Sequence, residues 1–314
     1  MGATVLLVAL VVVGAFYLGA FGYLGVTYAL MRRHAEPRPL GRALRSFVFE
    51  LVCVALVEPW LPLFYFVGRR MGGARGGVPV VFVHGYFQNR VDFVYLARKL
   101  RRAGLGPLFA INYPFFASVE DNAARLARFC ARVREETGAA RVDLVCHSLG
   151  GLVALELVRR DPAHVRRCIT VASPHAGVVF RGPILGASGR DLRAGSALVR
   201  RLEASRAAVP VLSIYSSHDN VVHPKLTSSL AARGGEDVEV AHVGHLGILF
   251  SRTVAAHIVA FLRPQEATAG LGRAEVEVAP AARVVERGDE AGEAGEADEA
   301  DEADRALSGS PPPP

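Results

Sequence analysis

The stretch that most constrains this chain is Val142-Asp-Leu-Val-Cys-His-Ser-Leu-Gly-Gly151, where an apolar, β-branched run passes without a spacer into the helical pattern of Leu149–Arg160. A strand that turns directly into a helix fits a parallel sheet, in which every strand needs a crossover that packs back onto the sheet. Other short apolar runs repeat the pattern, and strands are expected at Val78–Val83, Leu108–Asn112, Val142–Cys146, Cys168–Ala172, Val209–Tyr215 and Val238–Val243. Between them, Asn89 is placed to cap a helix ending at Gly104, with Asp92 three positions on. Ser118 and Asp121 form a capping-box pattern for a second helix, whose Leu126, Cys130 and Val133 share a face before Gly138 ends it. Leu149–Arg160 and Gly247–Leu262 complete the expected helices. The reading is an α/β fold, a mostly parallel sheet flanked by helices.

The two ends of the chain are unlike this middle. Met1–Met31 contains no Asp, Glu, Lys, Arg or His, and Arg32, Arg33 and His34 follow at once. As a helix, Ala3–Met31 reaches ~43 Å, more than the ~30 Å hydrocarbon core requires. No basic segment precedes the run and no small-x-small site ends it, so residues 1–31 are expected to be an uncleaved transmembrane anchor, not a signal peptide. A second apolar stretch, Phe47–Val67, carries Glu50, Glu58, Pro59 and Pro62. Each central carboxylate costs ~2.5–3.5 kcal/mol on insertion scales, and the prolines break a helix. Residues 32–77 are therefore expected to be a basic linker and a segment lying in the membrane interface or beneath the domain that follows. With Arg32, Arg33, Arg38, Arg42 and Arg45 held on the cytoplasmic side, a single span leaves Val78 onward in the cytoplasm; a second crossing would put it on the opposite, periplasmic face. The single span is preferred. After Pro264 come thirteen acidic residues, four arginines and a terminal run of four prolines, which predicts a disordered acidic tail over 265–314.

What remains, 78–264, is long enough for one well-buried core. The four cysteines, Cys53, Cys130, Cys146 and Cys168, lack CxxC spacing and read as buried thiols; no metal and no cofactor is expected. The 34 arginines are spread without aromatic-interleaved basic blocks, which argues against nucleic acid as a partner.

Chemistry concentrates at the strand-to-helix junction. Cys146-His147-Ser148-Leu149-Gly150 matches a nucleophile elbow, a sharp turn that lifts a serine hydroxyl above the sheet and demands small residues two positions either side; Cys146 stands where glycine is usual. Upstream, the strand ending at Val83 runs into His84-Gly85-Tyr86, where such an elbow requires a loop donating a second N–H to an oxyanion. Downstream, Ser216-Ser217-His218-Asp219 follows one strand and Gly244-His245-Leu246-Gly247 the last, giving the chain order Ser, Asp, His. Together these motifs resemble the α/β-hydrolase superfamily, and within it the small bacterial triacylglycerol lipases and esterases, over roughly Val78–Leu262. The resemblance implies Ser148 as nucleophile, His245 as general base and Asp219 as its orienting acid. It implies Tyr86 and Leu149 as backbone donors of the oxyanion hole, and His84, Gly85, His147 and Gly150 as supporting residues of the motifs. His242, expected inside the last strand, and His257, inside the last helix, are the less favoured bases. The glycine- and arginine-rich stretch 174–208 is expected to be a cap or lid, with Val178, Val179, Phe180, Ile184 and Leu185 lining an acyl pocket. The function so implied is a serine hydrolase of lipid or other long-chain acyl esters; the apolar N-terminal run, on which the resemblance is silent, adds an anchor in a bacterial inner membrane with membrane lipids as neighbours. A thioesterase or acyltransferase with the same three residues, and a catalytically silent membrane-bound module, are the alternatives.

Overall fold

A computed structural model describes residues 2–35, 37–57, 66–179 and 185–263. Glu58, Pro59, Pro62, Phe180, Ile184 and the acidic tail lie outside the described residues. Seven strands, β1 (Arg70–Gly72), β2 (Val80–Val83), β3 (Leu108–Ala110), β4 (Val142–His147), β5 (Val165–Val171), β6 (Val211–Ser216) and β7 (Glu236–Val240), form one sheet in the order β1-β3-β2-β4-β5-β6-β7. All neighbours pair in parallel except the edge pair β1–β3. Helices α3 (Val94–Arg102), α4 (Val119–Thr137), α5 (Leu149–Arg160), α6 (Gly186–Asp191), α7 (Ala197–Glu203) and α8 (Arg252–Leu262) follow α1 (Gly2–Met31) and α2 (Leu40–Val57) in chain order.

β2, β4 and β6 are buried along their whole length, as strands covered on both faces must be, which is why they read as unbroken apolar runs. Val81, Val83, Leu144 and Cys146 face a core completed by α4, α5 and α7. Val80, Phe82, Val145 and Ile169 face the other, completed by α3 and α8. Two of the buried acids are paired with arginines. Asp143, 1% exposed, is held by Arg166, and buried Glu156 is held by Arg159 and Arg160.

Local boundaries depart from the sequence reading where a cap intervenes. Asn89 does cap, accepting from the Val91 N–H, but it opens a 3-10 turn over 90–93 before α3 begins. Ser118 accepts from the Asp121 N–H, and Gly138, at φ +69°, ends α4 in the left-handed region that suits glycine. Gly247–Leu262 is broken in two: a 3-10 turn covers 247–250, then extended Ser251 caps α8 by accepting from Val254 N–H. The last strand ends at Val240, so His242 lies beyond it in a loop at φ +64°. β1, too short and polar to signal itself, was not expected.

Before the sheet, α2 folds back along α1. Tyr28 bonds Ser46, Phe21 meets Phe47 edge-on, and the Tyr17 hydroxyl donates to the Ala55 carbonyl. α2 has two unlike faces. Ser46, Glu50 and Cys53 are buried, Cys53 in the core beneath α3 and α8. Leu40, Leu44, Val48, Val52 and Leu56, each four residues apart, form an exposed apolar stripe. The Val13–Met31 part of α1 is long and apolar enough to cross a membrane.

Candidate active site

β4 ends at His147, and Ser148 makes the turn into α5 at φ +52°, ψ −123°, a conformation costing a non-glycine residue ~1–3 kcal/mol. Its N–H donates to the Val171 carbonyl of β5 at 2.9 Å, tying the turn to the neighbouring strand. The helix start needs close packing. A Cβ on Gly150 would meet the His84 carbonyl oxygen at 2.6 Å, and one on Gly85 would meet Ser148 Cβ at 2.9 Å. Cys146 fits where glycine is usual because its side chain points into the core shared with Cys130 and Cys168 and not into the turn. Burial pushes its thiol well above the ordinary range.

The three loops at the carboxyl ends of β4, β6 and β7 bring Ser148, Asp219 and His245 together. His245 Nε2 lies 3.0 Å from Ser148 Oγ, and Nδ1 lies 2.9 and 3.1 Å from the two Asp219 oxygens. A carboxylate only accepts, so Nδ1 carries the proton, and the bare Nε2 faces the serine hydroxyl. Asp219 is fixed in turn, its Oδ1 accepting from the N–H groups of Val221 and Val222. Burial disfavours a charged His245, but the Asp219 carboxylate, its hydrogen bond and the charge of Glu50 outweigh it and raise the imidazole above its ordinary value. Ser148, 8% exposed, and Asp219 are buried, and the His245 side chain is 13% exposed.

The other histidines are held apart from this chain of bonds. His84 donates from Nδ1 to the Gly85 carbonyl and accepts the Tyr113 N–H at Nε2, while the Tyr113 ring stacks on it at 4.1 Å. Burial lowers its pKa to about 4, so it is a neutral brace for the loop bearing Gly85 and Tyr86. His147 is lowered well below its ordinary value, first by burial and then by the charge of His245; its single proton is contested by Gln88 Oε1 and the His245 carbonyl. His242 packs on His218, ring centroids 4.7 Å apart, and His257 lies on α8. Leu149, first in α5, has an N–H with no intrahelical acceptor, and Gly85, pressed against Ser148, carries the backbone on to Tyr86.

Three residues of the site were not anticipated. Gln88 accepts from the Gly85 N–H, Asn220 accepts from the His245 N–H, and Glu50 accepts from the N–H groups of Leu246 and Gly247. Only Glu50 carried a signal, as one of two carboxylates in an apolar run.

The stretch 174–208 divides. α7 buries Leu198, Val199 and Leu202 in the main core, whereas α6 rests on the Phe115–Phe116 segment through Ser188 and Ala187. Tyr86, Phe87, Phe115 and Phe116 pack largely edge-to-face in an aromatic group, and the Tyr86 hydroxyl donates to the Leu185 carbonyl. Phe87, Phe116, Val179 and Leu185 are exposed. Among the described residues, no cluster of His, Cys, Asp or Glu is placed to hold a metal ion.

A sequence model of the α/β hydrolase fold matches residues 78–185. The triacylglycerol lipases of Pseudarthrobacter phenanthrenivorans and Burkholderia plantarii are each 30% identical over 110 residues; the match covers 32% of this chain and 34% and 31% of theirs. The chain thus matches about a third of the length of these curated relatives. Among solved structures, Aspergillus fumigatus lipase B superposes with a TM-score of 0.54 at 21% identity, covering 60% of this chain and 52% of that one. Bacillus licheniformis lipase BlEst2 superposes with the same TM-score at 16% identity, covering 60% and 94%. The chain carries an α/β-hydrolase fold.

Proposed function

We propose that this protein is a serine hydrolase of carboxylic esters with an apolar acyl chain, anchored by its N-terminal helix. The observation that carries the reading is the continuous chain from Asp219 through His245 to Ser148. A serine hydroxyl is a poor nucleophile until a base takes its proton, and an imidazole is such a base only in the right tautomer. Here His245 Nε2 accepts the Ser148 proton as Oγ attacks the ester carbonyl, and Asp219 stabilises the imidazolium that forms. The oxyanion develops against the N–H groups of Leu149 and Tyr86, where fixed donors strengthen as charge builds. His245 then returns the proton to the leaving alcohol, and water repeats the sequence to release the acid.

The exposed aromatic group around Tyr86, the apolar helices α1 and α2, and the triacylglycerol lipase names of the relatives support a lipid-like substrate. On this reading residues 78–264 are the catalytic unit, the part of 174–208 resting on Phe115 and Phe116 is a cap, and the acidic tail from Gln265 is dispensable. Burial of Glu50 and Cys53 against the domain supports a single span, with Val78 onward in the cytoplasm. Alkaline phosphatase fused after Gly77 tests the side, since strong activity would place the domain outside. The chemistry is tested by fluorophosphonate labelling and by turnover of esters of graded chain length. Wild type is labelled, Ser148→Ala is not, and medium or long chains are preferred. An unlabelled wild type, or a variant labelled equally well, would sink the proposal.

A further inference from the structure

The loop that carries the base is held from outside the hydrolase sheet. Three consecutive backbone N–H groups there are bound by side chains. His245 donates to Asn220 Oδ1 at 2.9 Å, Leu246 to Glu50 Oε1 at 2.7 Å and Gly247 to Glu50 Oε2 at 2.7 Å. Asn220 is itself anchored, its Nδ2 donating to Thr27 Oγ1 of α1 at 2.9 Å, while Thr27 donates onward to the Leu24 carbonyl. Both chains of bonds end in the two N-terminal helices, 193 and 196 residues away in sequence from the groups they hold. Glu50 is 1% exposed and has no cation within an ion pair among the described residues; its two oxygens serve the two amides. There is also no room for a looser arrangement, because a Cβ on Gly244 or Gly247 would collide with the Glu50 carboxylate.

We propose that Glu50, supported by Thr27, is a positioning residue of the active site: it fixes the 244–247 backbone so that His245 Nε2 stays on Ser148, making the N-terminal helices part of the catalytic apparatus as well as an anchor. A charged carboxylate is placed here at a cost, since burial pushes its pKa up to about 7, against the pull of the Leu246 and Gly247 N–H groups and of His245. Leaving two buried amides with no acceptor is the greater cost. An amide in its place has one acceptor oxygen and sets an NH2 against the second N–H. The role presupposes that Ser148 and His245 are the reacting pair.

The test uses the full chain in detergent, with wild type, Glu50→Gln, Glu50→Asp, Thr27→Val and Ser148→Ala. Backbone exchange over 244–250 is followed by mass spectrometry beside kcat and KM on a soluble short-chain ester. Glu50→Gln should speed exchange in that segment alone by about tenfold or more. It should lower kcat by about 10–100-fold and leave KM within about threefold, because the substrate's own contacts are untouched. Glu50→Asp, keeping the charge on a shorter stem, should recover part of kcat. The pH profile separates positioning from general loosening. Asp219, His147 and Glu50 are the titratable groups around His245, and removing the Glu50 charge should move the acid limb of kcat/KM to lower pH, which mere loosening would not do. If Glu50→Gln does not fold, Thr27→Val, which removes one hydroxyl, carries the test with faster exchange at His245 and kcat lowered about threefold. Unchanged exchange and kcat in the folded variants overturns the proposal. Faster local exchange together with a wild type that neither turns over ester nor is labelled upholds the clamp and overturns the hydrolase reading instead.

Discussion

Gly150→Ala asks whether the nucleophile turn depends on the close approach of α5 to β2. In the native packing an added methyl would sit 2.6 Å from the His84 carbonyl oxygen and 2.9 Å from the Val83 carbonyl carbon, with the Val83 oxygen nearer still; ordinary contact begins at 3.4 Å. The obstacles are backbone atoms, so no side chain can swing aside. The start of α5 must therefore retreat from β2 by about 0.8 Å or more, at the ~1–3 kcal/mol that overpacking commonly costs. Ser148 and the Leu149 N–H ride on that helix start. A displacement near 1 Å typically lowers turnover about a hundredfold, or ~2.7 kcal/mol of barrier. The assay is kcat/KM on a soluble ester together with a melting curve. Gly138→Ala is the control, because Gly138 has positive φ but nothing within 4 Å, and it ends α4 away from the site. It should cost ~1–2 kcal/mol of stability through backbone strain and leave kcat/KM unchanged. A Gly150→Ala enzyme with wild-type turnover and wild-type melting would refute the tight-approach argument.

Asp219→Asn keeps an oxygen for the Val221 and Val222 N–H groups but turns an NH2 toward His245 Nδ1, forcing the proton onto Nε2; kcat should fall ~10³–10⁴-fold with the fold intact, whereas His242→Ala should leave it within about twofold. Because His245 is raised above 6.5, kcat/KM should rise with pH through a midpoint above that value as the imidazolium deprotonates, and a midpoint below 6.5 would count against the Asp219 pairing. By linkage, the stability that His245 gains from Asp219 is complete below its unfolded pKa of about 6.5 and fades as pH rises through the raised value, so melting curves of Ser148→Ala at pH 6 and pH 8 should show a modest loss at the higher pH. Arg166→Ala strips the partner from Asp143 in the core, and removing one member of a buried pair costs ~3–5 kcal/mol; the melting temperature should drop by about 6–12 °C or more, and a change under 2 °C would mean the site tolerates the lone acid.

The central strands and the meeting of Ser148, Asp219 and His245 were legible because each depends on short-range pattern, namely an apolar run followed by a turn motif in a fixed chain order. The 3-10 turn after Leu246 was not, since the apolar periodicity of 247–262 continues across Ser251 and only the cap interrupts it. Glu50 shows a different limit. Its presence in Phe47–Val67 is plain, and in one dimension it reads as a cost of crossing a bilayer, but its partners lie on a loop almost two hundred residues later, and a one-dimensional pattern carries no information about that pairing. Gln88 and Asn220 were invisible for the same reason, being polar residues in turns whose partners His147, His245 and Thr27 are brought to them by tertiary approach.

The two faces of α2 bear on how such an enzyme would meet its substrate. With Glu50 and Cys53 built into the domain and Leu40, Leu44, Val48, Val52 and Leu56 turned outward, the helix is no swinging tether. On a bilayer it would hold Ser148 at one height and one tilt. On the anchored lipid-ester reading proposed above, substrate would then arrive by lateral diffusion within the leaflet, and turnover would follow the mole fraction of ester in the surface, so that dilution with inert lipid slows the reaction while a change in bulk volume does not.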